Sequence, residues 1–207
     1  TRKRRGHFTF FFFINPLLIT RTSRQAAYTF EGRNNARFWR FSVGGYFGAV
    51  SHRDVSLDVF FGVDYHSHLG TKRAGMIIFS KERGFQRQIH NVENTPFRTK
   101  FEKDLATFEG TSGIGCISDS DPQPLLVRSH LGVFALTTCG VINNADALIE
   151  EYFADHGNQF MAMSSGKVNE TELVAALINQ EDDFVSGIKH VQEKVEGSMT
   201  LLLMTEE

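Results

Sequence analysis

The stretch Val43-Gly-Gly-Tyr-Phe-Gly-Ala-Val50 constrains the chain more than any other. It reads as a short strand with three glycines (Gly44, Gly45, Gly48) set among apolar residues. Glycine weakens a strand, so a Gly-rich strand marks a close approach of backbone to backbone or to ligand. The chain changes character here. Residues 1–42 carry nine Lys/Arg and one acid, Glu31, a net charge of about +8. Residues 43–207 carry 13 basic and 23 acidic side chains, about −10. A charge break of that size at one point separates two segments of different kinds. We therefore expect an extension over 1–42 and one globular domain over 43–207.

The extension imitates a signal peptide. Arg2-Lys-Arg-Arg5 precedes the apolar stretch His7–Thr20, with its Phe10–Phe13 run. That stretch holds about 12 apolar residues and is broken by Asn15-Pro16, whereas a bilayer span takes about 20. Ser23–Ser42 is polar, Arg-rich and aperiodic. Three readings stand: a non-native segment upstream of a start at Val43, a disordered basic arm, or a targeting segment. The acidic body argues against a nucleic-acid-binding core, because neutralising phosphates needs clustered cations. Neither nucleic acid nor membrane is an expected partner. Cys116 and Cys139 form no CxxC pair and no disulfide framework, so a reduced, cytoplasmic setting is expected.

From Val43 onward strands and helices alternate. Strands are predicted over Gly45–Val50, Ala74–Ser80, Phe85–His90, Ser112–Ser118, Leu125–Ser129, Gly132–Thr138 and Gly197–Thr205. Helices are predicted over Asp54–Tyr65, Phe97–Phe108, Ala145–Asp155, Glu170–Ile178 and Asp182–Val195. Phe101, Leu105 and Phe108 share one helical face. Asp54 is a candidate N-cap, and so is an Asn of Asn143-Asn144. Strand runs with hairpin spacings, flanked by helices, predict an α+β fold of sheets covered by helices.

Six segments, in order, carry a resemblance. They are Gly45-Tyr-Phe-Gly48, His68-Leu-Gly-Thr-Lys-Arg-Ala-Gly75, Gly113–Pro124 ending in Gln123-Pro124, Leu136–Asn144, Asn169-Glu-Thr-Glu172 and Gly197–Glu207. Together they resemble the class II glutamine amidotransferase domain, an N-terminal-nucleophile (Ntn) hydrolase fold. They are most similar to the version that opens amidophosphoribosyltransferases, enzymes of purine biosynthesis. The resemblance covers about residues 43–207 and implies an αββα sandwich of mostly antiparallel sheets between helical layers. It also implies that the domain is truncated near its C-terminal end, in a longer protein with a phosphoribosyltransferase domain. The implied partners are glutamine or ammonia, phosphoribosyl pyrophosphate, and further copies of the same protein. No cofactor is implied for this segment; magnesium belongs to the transferase domain.

The family's chemistry sets a test. Its nucleophile is a cysteine at the mature N-terminus, with the free α-amine as base. The equivalent position here is Gly44. Its oxyanion hole uses an Asn side chain and the following Gly N–H; Cys139 and Gly140 stand there. Losing one such donor weakens catalysis by about 2.7–4 kcal/mol. An Arg would clamp the glutamine carboxylate bidentately; Cys116 stands there. An Asp would hold the α-ammonium, and Glu170 is its nearest counterpart. His68, Gly70 and Gly75 match the loop of the second segment, with His68 expected to fix it. The domain is thus expected not to hydrolyse glutamine. Two alternatives are a non-catalytic interaction or regulatory domain partnering a transferase, and an amide hydrolase with another nucleophile, Cys139 being the candidate.

Plainer roles stand beside these. Cys116 and Cys139 also read as small buried hydrophobes. Glu170 and Glu172 suit a helix start through the dipole alone. His66, His68, His90 and His130 fit no metal-site spacing.

Overall fold

The computed structural model describes residues 44–206, apart from 71, 120, 157–159, 161, 162 and 165. The expected extension over 1–42 and the expected start at Val43 lie outside the described residues. The elements in chain order are β1 (Gly44–Val50), α1 (Ser56–Tyr65), a 3-10 turn (Ser67–Leu69), β2 (Arg73–Ser80), β3 (Gly84–Asn91), α2 (Phe97–Leu105), β4 (Ser112–Ser118), β5 (Leu125–Ser129) and β6 (Gly132–Ile142). They continue with α3 (Ala145–His156), β7 (Met163–Ser164), β8 (Lys167–Val168), α4 (Glu170–Ile178), α5 (Phe184–Lys194) and β9 (Gly197–Thr205).

Alternation of side chains across strands builds four layers. The first sheet runs β1-β4-β2-β3 and the second β5-β6-β9, with antiparallel pairing throughout. Residues of β2 are apolar on both faces because both faces are covered. Met76 and Ile78 pack with Val59, Val63, Phe97 and Phe101 of α1 and α2. Ile77 and Phe79 point the other way and meet Ala135, Leu202 and Met204 of the second sheet. On β9 the neighbours Leu201 and Leu203 face helices α4 and α5 instead, with Leu173, Val174, Ile178 and Val191. Three apolar clusters therefore fill three interlayer spaces, which makes an αββα sandwich of the kind expected.

Small residues set the spacing. A Cβ on Gly62 would stand 2.1 Å from the Phe47 ring, so α1 lies close on β1. A Cβ on Gly113 would meet Ile78 at 2.4 Å, and one on Gly115 would meet Val63 at 2.6 Å. Glycine is required at these points because contacts below normal van der Waals distance leave no room for a methyl group.

Several boundaries differ from the sequence expectation. Strand β6 continues to Ile142, past Thr138. It passes through Gly140 at φ +143, where a Cβ would sit 2.0 Å from the Ser198 carbonyl oxygen. Helix α2 ends at Leu105. Phe108 is still buried, but it reaches the cluster from a turn in which Thr107 N–H donates to the Asp104 carbonyl at 2.8 Å. Asp54 precedes the N-cap position, which Val55 occupies. Its Oδ1 accepts from Ser56 Oγ (2.7 Å) and from Gly110 N–H (2.9 Å), so it tethers the helix start to a distant loop. Asn144 bridges the approach to β9: its amide donates to the Lys194 carbonyl (2.8 Å), and its Oδ1 accepts from Glu196 N–H (2.9 Å). The short β7–β8 hairpin had no periodic signal. No helix among the described residues is long and apolar enough to cross a membrane.

Phe101 is fully buried and stacks on Phe97 at 4.5 Å between ring centroids. Phe101→Ala is expected to destabilise the domain by about 3–5 kcal/mol, because α2 is fixed on its sheet and cannot collapse into the void. Chemical denaturation of the two proteins checks this.

Candidate functional site

The strand that opens the domain ends against the second sheet, and the site forms there. Gly44 pairs with Ser118 across β1 and β4. A Cβ built on Gly44 would lie 2.7 Å from the Ile117 carbonyl oxygen and 3.5 Å from Cys139 Sγ. The side-chain direction at Gly44 thus crosses the intersheet space to the Cys139 thiol of β6. Cys116 lies on the same inner face of β4, opposite Gly75 of β2, and its thiol hydrogen-bonds the Thr137 side chain. Sequence reasoning placed Gly44, Cys116 and Cys139 at three positions of one site, and the structure brings them together.

Burial fixes the chemistry of the two thiols. Removal from water pushes the Cys116 thiol up to about 12, and the neighbouring Cys139 adds to the rise. Burial also raises the half-buried Cys139 thiol above its ordinary value. A thiol is a nucleophile only as the thiolate, so both are in their unreactive form at neutral pH.

The loop from Asp121 to Pro124 closes the site from the side. Gln123 is buried, and its Oε1 accepts from Thr137 Oγ1 and from Thr138 N–H, both at 2.7 Å. The Gln123 carbonyl passes so near β2 that a Cβ on Gly75 would stand 1.8 Å from it, which is why Gly75 has no side chain. The Gln123-Pro124 peptide bond is cis. Asn169 donates to the Pro122 carbonyl (3.3 Å), while its Oδ1 caps α4 by accepting from Thr171 N–H (2.8 Å). The buried Asp121 carboxylate accepts from Glu170 N–H at 3.2 Å, at the positive end of the same helix.

Glu170 and Gly140 do meet. With Asp121, Gln123, Thr138, Ile142 and Met199 they enclose a cavity of about 10 Å³. That is room for at most one water molecule. Thr138 and Thr171 seal its neighbourhood through a 2.7 Å hydroxyl–hydroxyl hydrogen bond.

The loop residues divide. Gly70 packs on β4, where a Cβ would stand 2.9 Å from Ser118 N. His68, by contrast, is exposed and stands edge-on to the Tyr65 ring at 6.4 Å. Loop anchoring falls to His66 instead. Its Nδ1 donates to the Gly62 carbonyl (2.8 Å), and its side chain lies over Gly45, where a Cβ would come within 2.7 Å. Tyr65 and His66 are adjacent rings, and sequence alone favoured the histidine that matched a motif. Asp121 was also missed. The signal for Asn169 was available: Asn169-x-x-Glu172 has the residue types of a helix start. Among the described residues no group of three or more His, Cys, Asp or Glu side chains is placed to hold a metal ion.

No protein-family model matches the chain, and no curated protein matches it. Solved structures do. The chain is similar to the glutamine phosphoribosylpyrophosphate amidotransferase from B. subtilis complexed with ADP and GMP, with a TM-score of 0.66 and 22% identity over 80% of this chain and 35% of that one. It is equally similar to a structure described as the allosteric regulatory enzyme of purine biosynthesis, with a TM-score of 0.66 and 22% identity over 80% of this chain and 36% of that one. The domain has the Ntn-hydrolase-like amidotransferase fold. It spans a little over a third of the length of these chains.

Thiol alkylation tests the electrostatics. In the folded protein Cys139 is expected to react with iodoacetamide far more slowly than an unfolded thiol, and Cys116 more slowly still, with rates that keep climbing above pH 9. Cys116 also links folding to pH. Below 9.0, the ordinary thiol value, both states hold its proton. Above it the unfolded chain ionises while the folded chain does not, so stability falls as pH rises through this window. Cys116→Ala is expected to flatten that fall, and denaturant titrations from pH 8 to pH 11 measure it.

Proposed function

We propose that this chain is a glutamine amidotransferase-like domain of an amidophosphoribosyltransferase-type protein, and that it has lost glutamine hydrolysis. The observation that carries the reading is Gly44 facing the protonated Cys139 thiol across the site. Hydrolysis of a side-chain amide needs an attacking group, a base to activate it and donors for the oxyanion. Gly44 supplies no attacking group, and its nitrogen is a peptide nitrogen after Val43, so it is no base. Of the oxyanion positions, Gly140 can offer only a backbone N–H. Cys116 stands where a guanidinium would clamp a carboxylate, and its buried neutral thiol supplies no charge. The cavity beside Glu170 and Gly140 takes no more than a water, so glutamine has no seat there.

The likeness to the B. subtilis amidotransferase supports the choice of parent family, as do the six sequence segments. In this reading the domain accompanies a transferase that uses free ammonia and phosphoribosyl pyrophosphate in cytoplasmic purine biosynthesis. The assembly is a homo-oligomer, and magnesium belongs to the transferase part. The domain's own contribution is structural or regulatory.

Glutamate release from glutamine by the purified chain is expected to be indistinguishable from a no-protein control. A second reading has one observation in its favour: Cys139 is half-buried and lies against the nucleophile position, so it could attack some other amide. Release of glutamate, or of acid from a panel of amides, that disappears in Cys139→Ser would overturn the first reading and establish the second.

A further inference from the structure

The sandwich is open along one edge, away from Gly44. There β3 of the first sheet and β5 of the second are both edge strands. Register fixes which side chains look into the gap. Arg87 and Ile89 pair with Ile77 and Gly75; Ile77 belongs to the intersheet cluster, so both face the second sheet. Leu126 and Arg128 pair with Ala135 and Val133; Ala135 belongs to the same cluster, so both face the first sheet. At the gap the inner face of β3 thus presents Arg87 and Ile89, and that of β5 presents Leu126 and Arg128. Between them lies a cleft of about 780 Å³, which Tyr152, Pro122, Ala175 and Asn179 also line. That size matches sites for small organic molecules.

Two features of this cleft are unexplained by the fold. Intersheet layers are normally apolar, because sheets pack about 10 Å apart with interdigitated side chains. Here two cations point into the mouth of that layer, and among the described residues neither guanidinium has an ion-pair partner. Glu172, the acid on the cleft wall, is engaged in an interaction of its own. In addition, Asn179 Oδ1 is buried with no hydrogen-bond partner. A buried acceptor left unpaired costs roughly 1–3 kcal/mol.

We infer that the β3–β5 cleft binds a small molecule with an anionic head and a flat apolar body. A carboxylate or phosphate head takes the guanidinium forks of Arg87 and Arg128, which suit either group bidentately. The body lies on Ile89, Leu126 and the Tyr152 ring, itself braced by Phe160 at 5.1 Å. The cleft shares the 121–124 loop and the start of α4 with the Gly44 site, but none of the residues that define that site's chemistry. The inference is therefore independent of whether glutamine is hydrolysed.

Calorimetric titration of the whole chain with phenyl phosphate, benzoate and inorganic phosphate tests it. Phenyl phosphate or benzoate is expected to bind, and whichever binds tighter identifies the head group. Inorganic phosphate is expected to bind more weakly, having no body to bury. Arg87→Gln and Arg128→Gln are each expected to weaken the aromatic anion by about tenfold or more, as losing a charged hydrogen-bond partner does. Both arginines are exposed, so thermal melting of the variants should be unchanged. Arg128→Lys keeps the charge without the fork and should recover only part of the affinity. Absence of binding by both aromatic anions, affinity indifferent to both arginines, or inorganic phosphate binding as tightly as phenyl phosphate would each overturn the inference.

Discussion

The packing of one sheet's inner face against the other is what the rest of the structure depends on. Ile77, Phe79 and Ile114 from one side and Ala135, Leu202 and Met204 from the other exclude water from the middle of the sandwich. A central strand such as β2 must then be apolar on both faces, since helices cover the outside. The layer also determines what Gly44, Cys116 and Cys139 can do. They sit on its continuation toward one end, where burial keeps both thiols neutral. A low-dielectric site strengthens catalytic charges when they are present and paired. Without them it keeps titratable groups uncharged, and Cys116 and Cys139 follow that rule.

The extent to which the fold was legible follows from the same layering. Ser112–Ser118, Leu125–Ser129 and Gly197–Thr205 could be bounded from sequence to the residue, because each is a short apolar run with polar or glycine punctuation. Helix α4 begins at Glu170 as expected, after Asn169, whose side chain accepts backbone N–H bonds; α5 begins at Phe184, two residues after the expected Asp182, because Asp183 is its cap. Legibility failed where a long-range contact overrode local pattern. Gly140 looks like a strand terminator. Yet β6 continues through it, because the Ser198 backbone of β9 comes closer than any side chain would permit. Asp54 looks like a helix cap, but it sits before the cap position and its Oδ1 also accepts from Gly110 N–H, far along the chain.

The site was legible as positions and less so as interactions. Gly44, Cys139 and Gly140 could be placed from ordered motifs, and the fold does gather them. What sequence could not give is the loop that fills the space between them. Gln123, Asp121 and Asn169 form a set of buried polar groups in which the hydrogen bonds described here have partners inside the protein. A glutamine-binding site needs polar groups with bonding capacity left for the substrate. Here Gln123 Oε1 already accepts from both Thr137 and Thr138, and Asp121 accepts from the helix N-terminus.

That comparison sharpens the contrast between the two ends of the sandwich. Beside Gly140 and Glu170 the polar groups of the 121–124 loop satisfy one another around a cavity the size of a water. At the β3–β5 edge two guanidiniums stand around an open cleft without ion-pair partners among the described residues. Satisfied buried polar groups rigidify a structure, and unsatisfied ones are the exceptions that ask for a reason. Among the described residues, the guanidiniums without ion-pair partners stand at the open edge of the sheets, while the polar groups of the 121–124 loop are spent on one another. Pro122 and Asn169 line the cleft while their neighbours Gln123 and Glu170 line the small cavity, so the 121–124 loop and the start of α4 form the wall between the two.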